Sequence, residues 1–157
     1  MMQRSLLLLK PDALQRSLLG EIISRFERKG LKIIGLKMMQ LSDAQLAEHY
    51  AHHHGKPFFS DLVGFMKSTP VIAMVLEGVE AIETVRLLCG PTNSRKADAG
   101  SIRGDFSMSR SHNIVHASDS SANAEVEIKR FFSPTELFTY NKIDFDTIYN
   151  YEDLETK

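Results

Sequence analysis

Only one cysteine, Cys89, occurs in the 157 residues, so neither an intrachain disulfide nor a cysteine-based zinc cluster can be built. That usage fits a reducing compartment, and a cytoplasmic location is the expectation. Long apolar runs are missing as well. The four leucines at 6–9 are too few for a signal h-region or a membrane span, and Lys10-Pro11-Asp12 ends them at once. The terminal Glu155-Thr156-Lys157 carries no prenylation motif, so no lipid anchor is expected. Nor is there an excess of one charge: 19 Lys and Arg face 20 Asp and Glu, a formal net charge of -1. Nothing therefore draws the whole chain to nucleic acid or an anionic membrane, and any bound anion must be held by a local site. Absent too are a Gly-x4-Gly-Lys-Ser/Thr loop and a dinucleotide-binding glycine fingerprint, which excludes a P-loop enzyme.

What is present is an ordinary globular composition, 43% hydrophobic and 25% charged, in a chain long enough for one substantial core. A single domain spanning 1–157, with a tail from about residue 140, is expected. Apolar runs at 4–10, 33–41 and 71–76 predict strands, and alternation at 113–118 predicts a fourth. Ile22, Ile23 and Phe26 recur at helical spacing, with Gly30 placed to end that helix. Ser42 and Gln45 form a capping-box pattern that starts a helix through Leu46 and Tyr50, and 58–66 is a shorter amphipathic segment; together they predict a helical hairpin. Helices are also predicted at 79–88 and 124–132, while 90–108 has no sustained periodicity and reads as a long functional loop. This order favours an α+β sandwich of the ferredoxin-like βαββαβ kind, a four-stranded antiparallel sheet covered on one face by helices, with the hairpin as an insert.

The chemistry centres on His116. A neutral imidazole is largely deprotonated near neutral pH and can carry a transferred group on a nitrogen. Period-two alternation would put His116 on one face with Ile114 and Ser118, while Glu127 lies at the edge of the buried stripe of the following helix. A carboxylate bonded to one ring nitrogen would fix the tautomer and leave the other to attack. Lys10, Arg86 and Arg103 each lie where a strand or helix gives way to loop, which suits fixed cations for a phosphoryl group. Phe58 and Leu62, at i and i+4, suit an apolar clamp on a nucleobase, although on spacing alone core packing is the better reading. His49, His52, His53 and His54 read as a solvated loop rather than a metal site, because consecutive histidines cannot all face one ion.

Lys10-Pro-Asp12, Gly20-Glu-Ile-Ile23, Arg25-Phe-Glu27, His49-Tyr50, Lys56-Pro-Phe-Phe59, Thr92-Asn93, Ser101-Ile-Arg-Gly-Asp-Phe106 and Asn113-Ile-Val-His-Ala-Ser-Asp119 occur together in one order. In that set the chain resembles the nucleoside diphosphate kinase family over nearly its whole length. The resemblance implies ping-pong transfer of the γ-phosphoryl group from a nucleoside triphosphate to a ribo- or deoxyribonucleoside diphosphate, through phosphohistidine on His116. It also implies that Lys10, Tyr50, Arg86, Thr92 and Arg103 surround the phosphates, that Phe58 stacks on the base beside Leu62, and that Asn113 with Lys10 meets the ribose. Ser118 and Glu127 would support His116. Mg2+ would arrive on the nucleotide phosphates, with no direct protein ligand and a water-linked contact to Asp119. A homo-oligomer, hexamer with tetramer as the alternative, is implied as well. Neither a membrane nor a nucleic-acid partner is expected, since the charge is near neutral and no aromatic RNP-type motif is present. Departures from the family pattern are Ala117 in place of the usual glycine, Ser94 and Ala99 in place of prolines, and no tryptophan near 146–149.

Overall fold

The computed structural model describes residues 1–155; the end of the tail, Thr156 and Lys157, lies outside the described residues. Strands β1 (Met2–Leu9), β2 (Lys32–Met39), β3 (Val71–Val79) and β4 (Val115–Ala117) form one four-stranded sheet in the order β2-β3-β1-β4. Every neighbouring pair is antiparallel. With α2 (Leu19–Lys29) between β1 and β2 and α5 (Ala81–Cys89) between β3 and β4, this is the ferredoxin-like α+β fold.

Leucines 6–9 of β1 are all fully buried because the sheet is covered on both faces, not on one as the sequence suggested. Leu7 and Leu9, with Met74 and Leu76 of β3, pack on Ile22 and Phe26 of α2 and Val85 of α5. Leu6 and Leu8, with Ala73 and Val75, pack on Leu46 of α3 (Asp43–His49), Met66 of α4 (Phe59–Lys67), and Ile128 and Phe131 of α7 (Ser121–Phe131). A strand buried on both faces reads as a continuous apolar run, and the run at 6–9 has that cause. Phe26 anchors the first layer; truncating so large a buried ring typically costs about 3–5 kcal/mol.

Helix ends follow the expected chemistry where it is local. Gly30 ends α2 in the left-handed region at φ 102°, its N–H donating to the Glu27 carbonyl. Ser42 and Gln45 make the reciprocal capping box of α3. Strand β3 continues three residues past the predicted end, so α5 starts at Ala81 rather than 79. The stretch 90–108 is not structureless: it contains a 3-10 turn, Ser94–Lys96, and a short helix, α6 (Ile102–Phe106), capped by the Ser101 hydroxyl. Five residues are too few to show periodicity in the sequence. Gly104 lets α6 pack there, since a Cβ at that position would lie 2.0 Å from the Asp98 carbonyl oxygen. Two further helices complete the tail, α8 (Phe145–Ile148) and α9 (Tyr151–Glu155), with α1 (Pro11–Gln15) following β1. Among the described residues no helix is long and apolar enough to cross a membrane.

Candidate active site

Strand β4 pairs only with β1, His116 opposite Leu8, and so carries His116 at the open edge of the sheet above α7. Ser118 and His116 do share a side, as the alternation required, but Ile114 does not. Ile114 takes φ 72° and turns its side chain into the opposite core layer beside Val115. The N–H of Val115 donates to the Asn113 carbonyl at 2.8 Å across it, making a three-residue turn in its strained, positive-φ form. A β-branched residue in that region is an outlier that costs of order 1–3 kcal/mol. Ala117, by contrast, lies within the regular β4 strand and is not among the positive-φ residues, so its Cβ is tolerated without strain.

Glu127 reaches up from α7. Its Oε1 lies 2.9 Å from His116 Nε2, and its Oε2 accepts the Ser118 hydroxyl at 2.6 Å. Burial alone would raise the Glu127 carboxyl, but the bonds from His116 and Ser118 outweigh it and hold the group below its ordinary range. An ionised carboxylate only accepts, so the His116 proton sits on Nε2. Nδ1 is left with no protein partner among the described residues.

His49 is turned inward, unlike the exposed His52 and His54 of the next turn. Its ring stands edge-on to His116 at 4.4 Å and to Phe131 at 5.1 Å. Burial, then His116 and the Arg130 guanidinium, drive its pKa down to about 2, so the 3.9 Å approach to Glu127 is not an ion pair. Arg130 donates to Nδ1 at 3.2 Å, which places the remaining proton on Nε2. His49, His116 and Glu127 are close enough to ligate one ion. The guanidinium on His49 and the cations around the cavity set an unfavourable field for one.

These groups line one cavity of about 1240 Å³, with Lys10, Tyr50, Phe58, Leu62, Arg86, Thr92, Arg103, Asn113 and Asp119 on its walls. Every candidate read from the sequence except the fully buried Ser118 borders it, and Ser118 acts from behind Glu127. Lys10 Nζ donates to Asn113 Oδ1 at 2.6 Å, and burial, then repulsion from Arg103, lowers its pKa to about 8. Tyr50 carries a buried hydroxyl without a partner among the described residues, and burial, then the Glu127 charge, pushes its pKa up, so it stays a neutral donor. Arg86 ends α5 exposed. Asn113 and Arg103 are more committed than the sequence implied. The Asn113 amide donates to the carbonyls of Thr92 and Arg110, both at 3.0 Å. Arg103 donates to the carbonyls of Asn113, Gly90 and Val115 at 3.2, 2.5 and 2.6 Å, leaving two of its five N–H groups. Phe58, 45% exposed, presents its ring at the mouth, and Leu62 is half-buried against the hairpin core. His49, read from the sequence with a solvated loop, is instead buried against His116, and sequence reasoning missed Arg130 and the stacked pair of Phe65 and His112, whose rings lie 4.0 Å apart. None of these carries a local signal, because each is defined by a partner far along the chain.

A family model described as nucleoside diphosphate kinase matches residues 3–137. The chain belongs to the nucleoside diphosphate kinase family of enzymes. It is 50% identical over 149 residues to a nucleoside diphosphate kinase of Methanobrevibacter smithii, covering 95% of this chain and 99% of that one. A nucleoside diphosphate kinase of Parabacteroides distasonis is 51% identical over 148 residues, with 94% and 97% covered. The solved structure of a halophilic nucleoside diphosphate kinase from Halobacterium salinarum in complex with CDP matches with a TM-score of 0.93 at 41% identity, over 96% of this chain and all of that one. A chain of the nucleoside diphosphate kinase family thus presents, at one cavity, an imidazole oriented by a carboxylate together with Lys10, Arg86 and Arg103.

Proposed function

We propose that this protein transfers the γ-phosphoryl group of a nucleoside triphosphate to a nucleoside diphosphate by a ping-pong mechanism through His116. The observation that carries this reading is the bond from His116 Nε2 to Glu127, which leaves Nδ1 as the nucleophile. The Nδ1 lone pair attacks the γ-phosphorus, the bond from phosphorus to the bridging oxygen breaks, and the diphosphate departs with that oxygen. A second diphosphate then attacks the phosphohistidine with a terminal oxygen, and the Nδ1–P bond breaks. Glu127, itself steadied by Ser118, balances the positive charge that grows on the ring during attack.

Lys10, Arg86, the two free N–H groups of Arg103, and the hydroxyls of Tyr50 and Thr92 supply donors for the phosphate oxygens. Phe58 offers a π-face to any base, beside Leu62, and Asn113 with Lys10 faces the ribose. The acidic residues lining the cavity are Glu48, Asp61, Asp119 and Glu127. Glu127 is fully engaged, and one Asp119 oxygen is held by Asn123 at 2.6 Å, so this donor set is no all-protein cage for Mg2+. It fits Mg2+ carried in on the nucleotide, with Asp119 within reach through water. Bound there, Mg2+ neutralises phosphate charge and orients the phosphate chain. A homo-oligomer, hexameric or else tetrameric, belongs to the same reading, and light scattering distinguishes the two.

The deciding experiment incubates the protein with Mg2+ and γ-labelled ATP, removes nucleotide, tests the label for acid lability and then adds unlabelled GDP. Acid-labile label that leaves as GTP, and is absent in His116→Ala, is the expected result. Nucleotide binding without covalent label would turn the reading to a non-catalytic nucleotide-binding module.

A further inference from the structure

We propose that Asp12 is a positioning residue for His116, acting by holding Ile114 in its strained conformation; this rests on the phosphohistidine reading above. Strand β4 has three residues and one neighbour, so regular pairing alone fixes His116 weakly and the two ends of the strand must do so. At the C-terminal end, the Ser118 N–H donates to the Leu6 carbonyl at 3.1 Å. At the N-terminal end stands the turn at Ile114, a conformation an isoleucine does not hold unaided.

Asp12 meets that turn directly. Its Oδ2 accepts the Ile114 N–H at 3.0 Å, across 102 residues of sequence. The Ile114 carbonyl accepts the Lys10 N–H at 2.8 Å, so both polar backbone groups of the strained residue are held by the segment 10–12. Arg103 takes the carbonyls on either side, those of Asn113 and Val115. The second Asp12 oxygen, Oδ1, is buried without a partner among the described residues. Buried unpartnered oxygens are unfavourable, and this one persists where its sister oxygen restrains the residue two positions before His116. Releasing the Ile114 N–H would let the turn relax to negative φ, swing the Asn113 to His116 segment, and misplace Nδ1 against the γ-phosphorus. A misplacement of about 1 Å costs up to roughly a hundredfold in rate.

The test compares single-turnover labelling of His116 from γ-labelled ATP and Mg2+, and ADP affinity, in four variants and the unmodified protein. Asp12→Ala should label about ten- to a hundredfold more slowly, with ADP affinity within about threefold. Asp12→Asn keeps an acceptor oxygen and should stay within about threefold. Because glycine takes positive φ freely, Asp12→Ala should cost less than about threefold when added to Ile114→Gly. An unchanged rate in Asp12→Ala, an equal loss in Asp12→Asn, or the same loss in both backgrounds overturns the proposal. Should Asp12→Ala fail to fold by circular dichroism, Asp12→Asn decides, and a loss beyond about tenfold there overturns it. Absence of label in the unmodified protein would remove the functional reading and this proposal together, whereas a labelled parent with an equally fast Asp12→Ala removes the proposal alone.

Discussion

Around His116, at the floor of the cavity, the contacts are directional bonds between polar side chains and backbone. Both Glu127 oxygens are bonded, Asn113 makes three side-chain bonds, and Arg103 spends three donors on backbone carbonyls. At the mouth the contacts are of another kind. Phe58 is half exposed and touches His53 edge-on at 5.2 Å, and the half-buried Phe65 stacks on the exposed His112 ring. The difference matches what the proposed function would ask of each end. In-line attack at phosphorus needs atoms placed to fractions of an ångström, and directional bonds supply that. A base of any identity needs only a flat apolar surface, which tolerates variation.

That contrast can be broken from either end. The largest effect is expected at the floor: Glu127→Gln, which removes the charge opposite the growing imidazolium, should slow phosphoryl transfer by about one to two orders of magnitude. An unchanged rate would mean the carboxylate does not steer the ring. At the mouth, Phe58→Ala should weaken nucleotide binding by roughly tenfold, equally for purines and pyrimidines, with little change in the rate of His116 phosphorylation. A purine-only loss, read from the same titrations, would show that the mouth discriminates.

Lys10 sharpens the comparison through pH. Burial lowers its pKa to about 8, and a phosphate binds the protonated form, so affinity should be flat below about pH 8 and fall as pH rises through it. One proton sets the limit, about tenfold per pH unit. ADP titrations across that window giving constant affinity would show that Lys10 keeps its proton. His49 acts on stability rather than on turnover. Its native pKa is depressed to about 2, so the unfolded chain takes up a proton near pH 6.5 that the native state refuses. Stability should therefore fall as pH drops below about 6.5, by at most about 1.4 kcal/mol per unit from this group. His49→Gln should remove that part of the acid slope in denaturant melts.

Features whose physics is local were legible. The capping box at Ser42 and Gln45, the left-handed stop at Gly30 and the apolar runs of β1, β2 and β3 each depend on a few adjacent residues. The pairing of Glu127 with His116 was readable because a carboxylate at the edge of a buried stripe must find a partner close by. Helix α6 escaped notice for want of length, and Ile114 misled because a smooth apolar alternation conceals a reversal of φ. The covering of the second sheet face was hidden in the meaning of the leucine run, which reads alike for a strand buried on either or both faces until the helices are placed.

By itself the sequence determined the family, the sandwich order of strands and helices, and the identity of a histidine, a carboxylate and three cations that border one cavity. Those follow from periodicity, caps and motifs, which are short-range. Only the tertiary structure decided which ring nitrogen is free, that Asn113 and Arg103 are largely spent as braces, that His49 stands neutral behind His116, and that Asp12 reaches Ile114. Each of these is a contact between segments distant in the chain. Its direction is set by packing and by the need to pair most buried donors and acceptors, which no local pattern encodes.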